Sequence, residues 1–112
     1  MFGKKELILA LVGILSAPLF AVNQWASCRP NQVMVFDNRI HVECAAAVGR
    51  IKFFAFPTND SAKSSRMLSI LSTAQVAGRN VLVLFEPTDA SGPAYGCLAS
   101  DCRPIIAAGF GN

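Results

Sequence analysis

Between Ser64 and Glu86 the order of hydrophobic and polar residues changes from a helical period to a continuous apolar run. Apolar side chains first recur at the spacing of one helical face: Met67, Leu68, Ile70, Leu71 and Ala74. Ser64 or Ser65 can cap the first turn, and Gly78 can adopt the left-handed backbone conformation that ends the last turn. The apolar residues Val81–Phe85 then form a run that is too short for a helix. This stretch therefore predicts an amphipathic helix that leads directly into a buried strand.

Further strands are predicted on both sides of this helix. The predicted strands are Gln32–Phe36, Arg39–Cys44, Ile51–Phe56, Val81–Glu86 and Arg103–Phe110. A two-residue turn at Asp37–Asn38 joins the first two strands, so that the numbers of paired residues add up to about 75. In the second strand Ile40 and Val42 point to one face and His41 to the other, which is typical of a sheet with one face in water.

The order of these elements, three strands, a helix and two strands, predicts a fold that is mainly β with one helix. This is the order of an OB-fold, a five-stranded, partly open barrel whose helix lies between the third and fourth strands. A sheet of four or five strands covered by one helix is the alternative. We favour the barrel, because short strands in an open sheet leave exposed edges. Trp25–Pro30 and Ala45–Gly49 carry no clear pattern. We interpret the first as an irregular lead-in and the second, which is rich in small residues, as a connection or a bulge.

The N-terminal residues are typical of a secretory signal peptide. Lys4 and Lys5 precede the apolar run Leu7–Leu15, and small residues then lead to a cleavage site after Ala21. The apolar run is well short of the roughly 20 residues that span a bilayer. We therefore predict a signal peptide at residues 1–21 and a single domain at residues 22–112. The domain is expected to be exported, either periplasmic or secreted, with no membrane span after cleavage.

The four cysteines all lie in the predicted domain, and an even number in a small exported chain indicates disulfides. Three connectivities are possible. Cys97 and Cys102 can close a short loop, which leaves Cys28 to pair with Cys44. The predicted hairpin register supports this pairing, since it places Cys44 opposite Asn31 with Cys28 just beyond. We expect the disulfides Cys28–Cys44 and Cys97–Cys102.

Composition and spacing exclude several classes of function. The net charge is +3, and the basic residues are scattered instead of forming the stripe that a nucleic-acid surface needs. No metal site is predicted, because CxxC spacings are absent and His41 is the only histidine. No glycine-rich loop precedes a helix, so no nucleotide cofactor is predicted. His41 and Glu43 share a strand face as ordinary solvated neighbours, so we rank a hydrolase last and predict that the protein is not an enzyme.

The aromatic residues give the best indication of a binding surface. Phe53 and Phe54 are adjacent on a predicted strand and point to opposite faces, so one of them faces outward or into a partner. Tyr95, in the loop before Cys97, and Trp25 are candidate sugar-stacking residues. A flat apolar ring with a polar tip suits a wet, partly apolar ligand such as a sugar.

Three segments resemble a known group of proteins: MLSILSTAQVAGRNVLVLF at 67–85, EPTDASGPAYGC at 86–97 and CLASDC at 97–102. The chain resembles small exported bacterial OB-fold proteins akin to the receptor-binding B subunits of subtilase cytotoxin and of typhoid and pertussis-type toxins. In those subunits, too, a helix leads into a strand, and a short cysteine loop precedes the last strand. The resemblance implies an OB-fold, rings of five copies and binding of sialylated or other glycans. It also implies that Tyr95 occupies a loop that carries an aromatic binding residue.

Two functions are therefore expected. The first is a non-catalytic exported binding module that recognises a glycan or a cell-surface receptor through Tyr95 or Trp25. The alternative is a monomeric periplasmic or secreted protein that acts by contact with another protein, as an inhibitor or a structural partner. Neither function requires a cofactor, a nucleic acid or a membrane span.

Overall fold

The computed structural model describes residues 22–111, so the predicted signal peptide lies outside the described part of the chain. The strands are β1 (Gln24–Cys28), β2 (Pro30–Val35), β3 (Arg39–Val48), β4 (Ile51–Pro57), β5 (Val81–Phe85), β6 (Cys102–Pro104) and β7 (Ala107–Gly109). Helix α1 (Ser61–Ala77) lies between β4 and β5, and a short 3₁₀ helix spans Gly92–Tyr95. The described chain is therefore mainly β with one α-helix, as the sequence predicts.

The strands form two sheets, and at two places the chain passes directly from a strand of one sheet into a strand of the other. One sheet has the order β2-β3-β4-β6, and the other has the order β1-β5-β7. Neighbouring strands are antiparallel, apart from β4 and β6, which are parallel. β1 continues into β2 through Arg29, and β6 continues into β7 through Ile105 and Ile106. The N–H of Ile105 donates to the carbonyl of Ala55 and that of Ile106 to the carbonyl of Leu84, each at 2.8 Å, so the chain changes sheets at this point.

This arrangement corrects several details of the sequence analysis. Residues 22–111 form two sheets without a closed barrel, so the five-stranded barrel is not confirmed. The helix follows the fourth strand instead of the third, because the lead-in Trp25–Pro30 contains most of β1 and is not irregular. Ala45–Val48 extends β3 and is not a separate connection, and the shift in pairing between Glu43 and Val48 agrees with the predicted alternative, a bulge. The last predicted strand, Arg103–Phe110, is divided into β6 and β7, because Pro104 has no N–H and the next two amides bond to different sheets.

The hydrophobic core lies between the two sheets and one face of α1. Its largest fully buried side chains include Phe54, Phe85, Ile40, Leu71 and Val42. The rings of Phe54 and Phe85, which come from different sheets, meet edge to face with their centroids 5.1 Å apart. Helix α1 contributes Met67, Leu71 and Ala74, which are three of the residues in the predicted apolar face. Burial of each large side chain stabilises the fold by about 2 kcal/mol.

Helix α1 begins earlier than its apolar pattern predicts. Its N-cap is Asp60, whose Oδ1 accepts the backbone N–H of Lys63 at 3.0 Å. The predicted cap Ser64 is instead a buried residue within the first turn, where its Oγ donates to the carbonyl of Ser61 at 3.2 Å. The helix ends at Gly78, with φ of 65°, as predicted. No helix in residues 22–111 is long and apolar enough to cross a membrane.

The β2–β3 hairpin has the predicted register over most of its length. Gln32 lies opposite Glu43, so that paired residue numbers follow the expected rule. A bulge at Asn31 then shifts the pairing by one residue, and Pro30 faces Cys44. The bulge is held by the helix, because the side-chain amide of Gln75 donates to the carbonyl of Asn31 at 3.2 Å.

Both predicted disulfides are present in the structure. Cys28–Cys44 connects the end of β1 to β3, and therefore links one sheet to the other. Cys97–Cys102 closes a short loop at the start of β6. All four side chains are buried, so each bridge is also part of the packing around it.

Candidate functional site

An open hollow of about 380 Å³ lies where three loops of the structure meet. We call it the Tyr95 hollow, and it is lined by Asp37, Asn38, Pro57, Thr58, Asn59 and Tyr95. The first two residues belong to the β2–β3 turn, and Pro57 is the last residue of β4. Thr58 and Asn59 belong to the β4–α1 connection, and Tyr95 belongs to the β5–β6 loop. One aromatic ring therefore shares a hollow with a carboxylate, two amides and a hydroxyl.

The β2–β3 turn forms one fixed wall of the hollow. The backbone N–H of Phe36 donates to the carbonyl of Arg39 at 2.7 Å, which closes the two-residue turn. No non-glycine residue in the described range has a positive φ, so this turn is not the mirror-image type that two-residue hairpins prefer. Thr58 holds it from the side: its Oγ1 donates to the carbonyl of Asp37 at 3.0 Å, and its N–H to that of Asn38 at 3.3 Å.

Arg39 connects this turn to the loop that carries Tyr95. Its Nη1 donates to Oδ1 of Asn38 at 3.0 Å, and its Nε donates to Nδ1 of His41 at 3.1 Å. Its guanidinium carbon lies 3.9 Å from the centre of the Phe36 ring. Gly96 has a φ of 98°, which favours glycine, and a Cβ there would lie 2.6 Å from Nη1 of Arg39, so the guanidinium packs directly against this loop.

A second arginine, Arg103, holds the β5–β6 loop through hydrogen bonds to its backbone. It is buried, and its guanidinium donates to three backbone carbonyls: Pro87 and Ala99 at 2.6 Å each, and Cys102 at 2.7 Å. In the sequence Arg103 is one of several scattered basic residues, and no binding or structural role was predicted for it. The available signal was its position between Cys102 and Pro104 in a predicted strand, where a charged side chain must find buried partners.

The electrostatic environment of the hollow perturbs two titratable groups. Burial, and to a smaller extent the nearby carboxylate of Asp89, raise the pKa of Tyr95 above its ordinary value. Burial and the positive charge of Arg39 lower the pKa of His41, although Asp101 acts in the opposite direction. Both the phenol and the imidazole are therefore favoured in their neutral forms.

Trp25, the other predicted sugar-stacking residue, does not line the Tyr95 hollow. It lies on β1 opposite Leu84 and is 56% exposed on the outer face of the three-stranded sheet. Phe53 and Phe54 point to opposite faces, as predicted. Phe54 is in the core, whereas Phe53 is half-buried on the other face, where its ring lies 5.3 Å from that of His41.

A second concave surface, which we call the α1–β7 groove, lies between the helix and the last strand. It has a volume of about 340 Å³ and is lined by Phe56, Lys63, Arg66, Met67, Ile70, Ile106, Ala107 and Ala108. Ile106 is 47% exposed there, and the only charged residues in the lining are Lys63 and Arg66. The groove is therefore apolar with a positive border.

The side chains suggested for catalysis have other partners. Nδ1 of His41 accepts a hydrogen bond from Arg39, and Oε1 of Glu43 accepts one from the side-chain amide of Asn31 at 3.0 Å. His41 and Glu43 are thus not arranged as a base and the carboxylate that orients it. In the described part of the chain no three His, Cys, Asp or Glu residues are grouped in a way that could hold a metal ion.

Comparisons with known proteins add no assignment to this geometry. A scan against protein-family models gives no match, and a search of curated proteins gives none either.

Proposed function

We propose that the protein is a non-catalytic, exported binding module that takes a glycan, free or on a cell-surface receptor, in the Tyr95 hollow. The observation that carries the proposal is the meeting of one aromatic ring with the polar groups of Asp37, Asn38, Thr58 and Asn59. A sugar ring has an apolar face that stacks on an aromatic residue and hydroxyl groups that bond to amides and carboxylates.

An OB-fold-like architecture is part of this proposal. It is supported by the two pairs of strands that continue from one sheet into the other, β1 into β2 and β6 into β7, and by the parallel pairing of β4 with β6. OB-folds bind oligosaccharides at two loops. On this reading those loops are the β2–β3 turn and the β5–β6 loop, both of which contribute residues to the lining of the hollow. Assembly into a ring of copies of the chain is proposed from the toxin resemblance.

Export is proposed from the signal-peptide pattern and is consistent with the two disulfides. Disulfides persist in oxidising compartments such as the periplasm and the extracellular space. Mass spectrometry of the protein recovered from the periplasm or the medium tests this directly. A chain that begins at Val22 and contains no free thiol supports it, and an uncleaved, reduced chain found in the cytoplasm contradicts it.

The test of the binding function is a glycan array followed by calorimetry on the best sugar. Tyr95→Ala should lower the affinity by about tenfold or more, because the stacking surface is lost, while Tyr95→Phe keeps the ring and most of the affinity. Trp25→Ala is the matched control, because it replaces an exposed aromatic residue that does not line the hollow. An array with no signal, or binding that is lost in Trp25→Ala and kept in Tyr95→Ala, contradicts the proposal.

A second candidate function, recognition of another protein, is favoured by the α1–β7 groove. Ile106 is exposed beside Lys63 and Arg66, and this combination suits a partner segment that carries apolar and acidic side chains. This function predicts a monomer in light scattering, no array signal, and a crosslinked partner peptide that maps to the groove. Ile106→Asp should abolish that crosslink, whereas the exposed Val76→Asp on the helix should not.

A further inference from the structure

We propose that Arg39 is the positioning residue of the Tyr95 hollow and that protonation of His41 releases it, so that the hollow holds its ligand at neutral pH and loses it in acid. This inference rests on the proposed function, because it concerns the same hollow. It adds a residue and a pH dependence that the ligand-binding proposal does not require.

The contacts of Arg39 explain why it positions the hollow. It bonds to Asn38, which lines the hollow, and its guanidinium occupies the space against Gly96, the residue that follows Tyr95. The ring of Phe36 supports the guanidinium from one face. Arg39 is therefore the side chain that sets the distance between the β2–β3 turn and the Tyr95 loop.

The bond from Arg39 to His41 exists in one protonation state only. Nε of Arg39 always carries a hydrogen, so Nδ1 of His41 must accept, and the imidazole must be neutral with its proton on Nε2. A proton added to Nδ1 would place two N–H groups and two positive charges against each other at 3.1 Å. Protonation therefore breaks the bond and repels the guanidinium from its place.

The surroundings of His41 determine where this change occurs on the pH scale. Its ring lies between Phe53, at 5.3 Å, and Phe36, at 6.2 Å, and these apolar rings disfavour a charged imidazole. Among charged groups, Arg39 also opposes protonation and Asp101 favours it. Glu43, on the same face of β3, is bonded to Asn31. The facing residues of the neighbouring strands, Met34 on β2 and Ala55 on β4, carry no charge.

The combined effect places the release of Arg39 on the acid side of pH 6.5. The pKa of His41 lies below its ordinary value of 6.5, so the Arg39 bond is intact at pH 7.5 and is lost as the pH falls through the lowered pKa. A protein that passes from a neutral to an acid compartment would therefore release its ligand there.

A ligand-free experiment tests the switch independently of the binding function. His41 is the only histidine, so its imidazole resonances can be followed without ambiguity by NMR from pH 7.5 to pH 4. The backbone amides of Gly96 and Cys97 should shift with the same midpoint as the imidazole. In His41→Gln the side-chain oxygen of residue 41 can accept a hydrogen bond from Arg39 at every pH. The pH-dependent shift of the Gly96 and Cys97 amides should therefore be absent in this variant. Gly96 and Cys97 amides that stay constant while His41 titrates would overturn the proposal.

A binding experiment then connects the switch to the ligand, with the best sugar from the array as the probe. The wild-type protein should bind about tenfold more weakly at a pH below the His41 midpoint found by NMR than at pH 7.5, as expected for the loss of one charge-assisted hydrogen bond. His41→Gln should bind equally at both pH values, and Arg39→Lys should bind weakly at both. A wild-type affinity that does not change with pH overturns the switch and leaves glycan binding intact. An array with no signal removes the proposed function, while the amide titration still decides the switch.

Discussion

Arg103 shows how one buried side chain fixes a long loop. Its guanidinium satisfies the carbonyls of Pro87, Ala99 and Cys102, which lie at both ends of the segment that presents Tyr95. Hydrogen bonds to a charged group contribute more than neutral ones, and a buried carbonyl without a donor is costly. The loop is therefore held by a residue that never contacts the hollow.

We predict that Arg103→Met destabilises the protein by about 3 kcal/mol, because three acceptors lose their donor while much of the apolar volume is kept. Urea unfolding followed by circular dichroism measures the change. Arg50→Met, an exposed arginine, is the matched control and should stay within about 0.5 kcal/mol of the wild type. Equal stability of Arg103→Met and Arg50→Met would show that the loop does not depend on this guanidinium.

Tyr95 gives a second prediction at the residue scale, since it is the only tyrosine and its ionisation can be followed by absorbance at 295 nm. Burial and Asp89 raise its pKa above 10.0, so the titration midpoint of the folded protein should lie above that of the unfolded chain. The folded state then binds the proton more tightly, and this contribution to stability is present below pH 10 and lost at higher pH.

The carboxylate contribution to this shift can be isolated by substitution. Asp89→Asn should lower the Tyr95 midpoint but leave it above 10.0, because burial is the larger cause. Asp60→Asn is the control: it keeps a helix-capping side chain and removes a carboxylate that does not contribute to the shift of Tyr95, so the midpoint should stay unchanged. A midpoint of Asp89→Asn that equals the wild-type value would mean that Asp89 does not influence the phenol.

At the scale of single elements, the end of α1 depends on one backbone conformation. Gly78 has φ of 65°, which places a Cβ under strain, whereas Gly109 on β7 has an ordinary φ and open space around it. Gly78→Ala should therefore cost about 1 kcal/mol in the free energy of unfolding. Gly109→Ala is the control and should change it by less than about 0.5 kcal/mol. Similar values for both variants would contradict a left-handed helix cap.

The elements with a strong periodic pattern could be predicted, and those without one could not. The buried face of α1 follows from Met67, Leu71 and Ala74, but its first turn carries no large apolar side chain that marks the start. Strand β1 was missed because its inward residues, Ala26 and Cys28, are small and give little contrast with their neighbours. Strand pairing then overrides weak local propensity, as is common for β structure.

At the scale of the whole molecule, the Tyr95 hollow could not be predicted, although Tyr95 itself was a candidate. The hollow exists because Arg39 and Thr58 hold the β2–β3 turn while Arg103 holds the opposite loop. The bonds of Thr58 and Arg103 join residues 21 and 16 positions apart in the chain, and one sequence contains no pattern that reports them. The disulfide pairing could be predicted from the sequence, since the hairpin register and the short Cys97–Cys102 spacing both constrain it.

The two disulfides should stabilise different parts of the protein, one the whole fold and the other the loop beside Tyr95. Cys28–Cys44 closes a loop with a sequence separation of 16 and joins the two sheets. Its replacement by two alanines should cost about 3 kcal/mol from loop entropy alone and lower the stability of the whole fold. Cys97–Cys102 closes a loop with a separation of only 5, for which the same relation gives about 2 kcal/mol. That loop adjoins Tyr95, so its removal should act mainly on the hollow.

The comparison of the two double variants therefore separates the fold from the site. Cys97→Ala with Cys102→Ala should keep the native circular dichroism spectrum at 25 °C, yet lose glycan binding because the Tyr95 loop is no longer closed. The double variant Cys28→Ala with Cys44→Ala should bind the glycan normally while it is folded. It should unfold at a lower urea concentration than the Cys97→Ala, Cys102→Ala variant. The reverse order of stability, or full binding by the Cys97–Cys102 variant, would mean that the small loop does not position Tyr95.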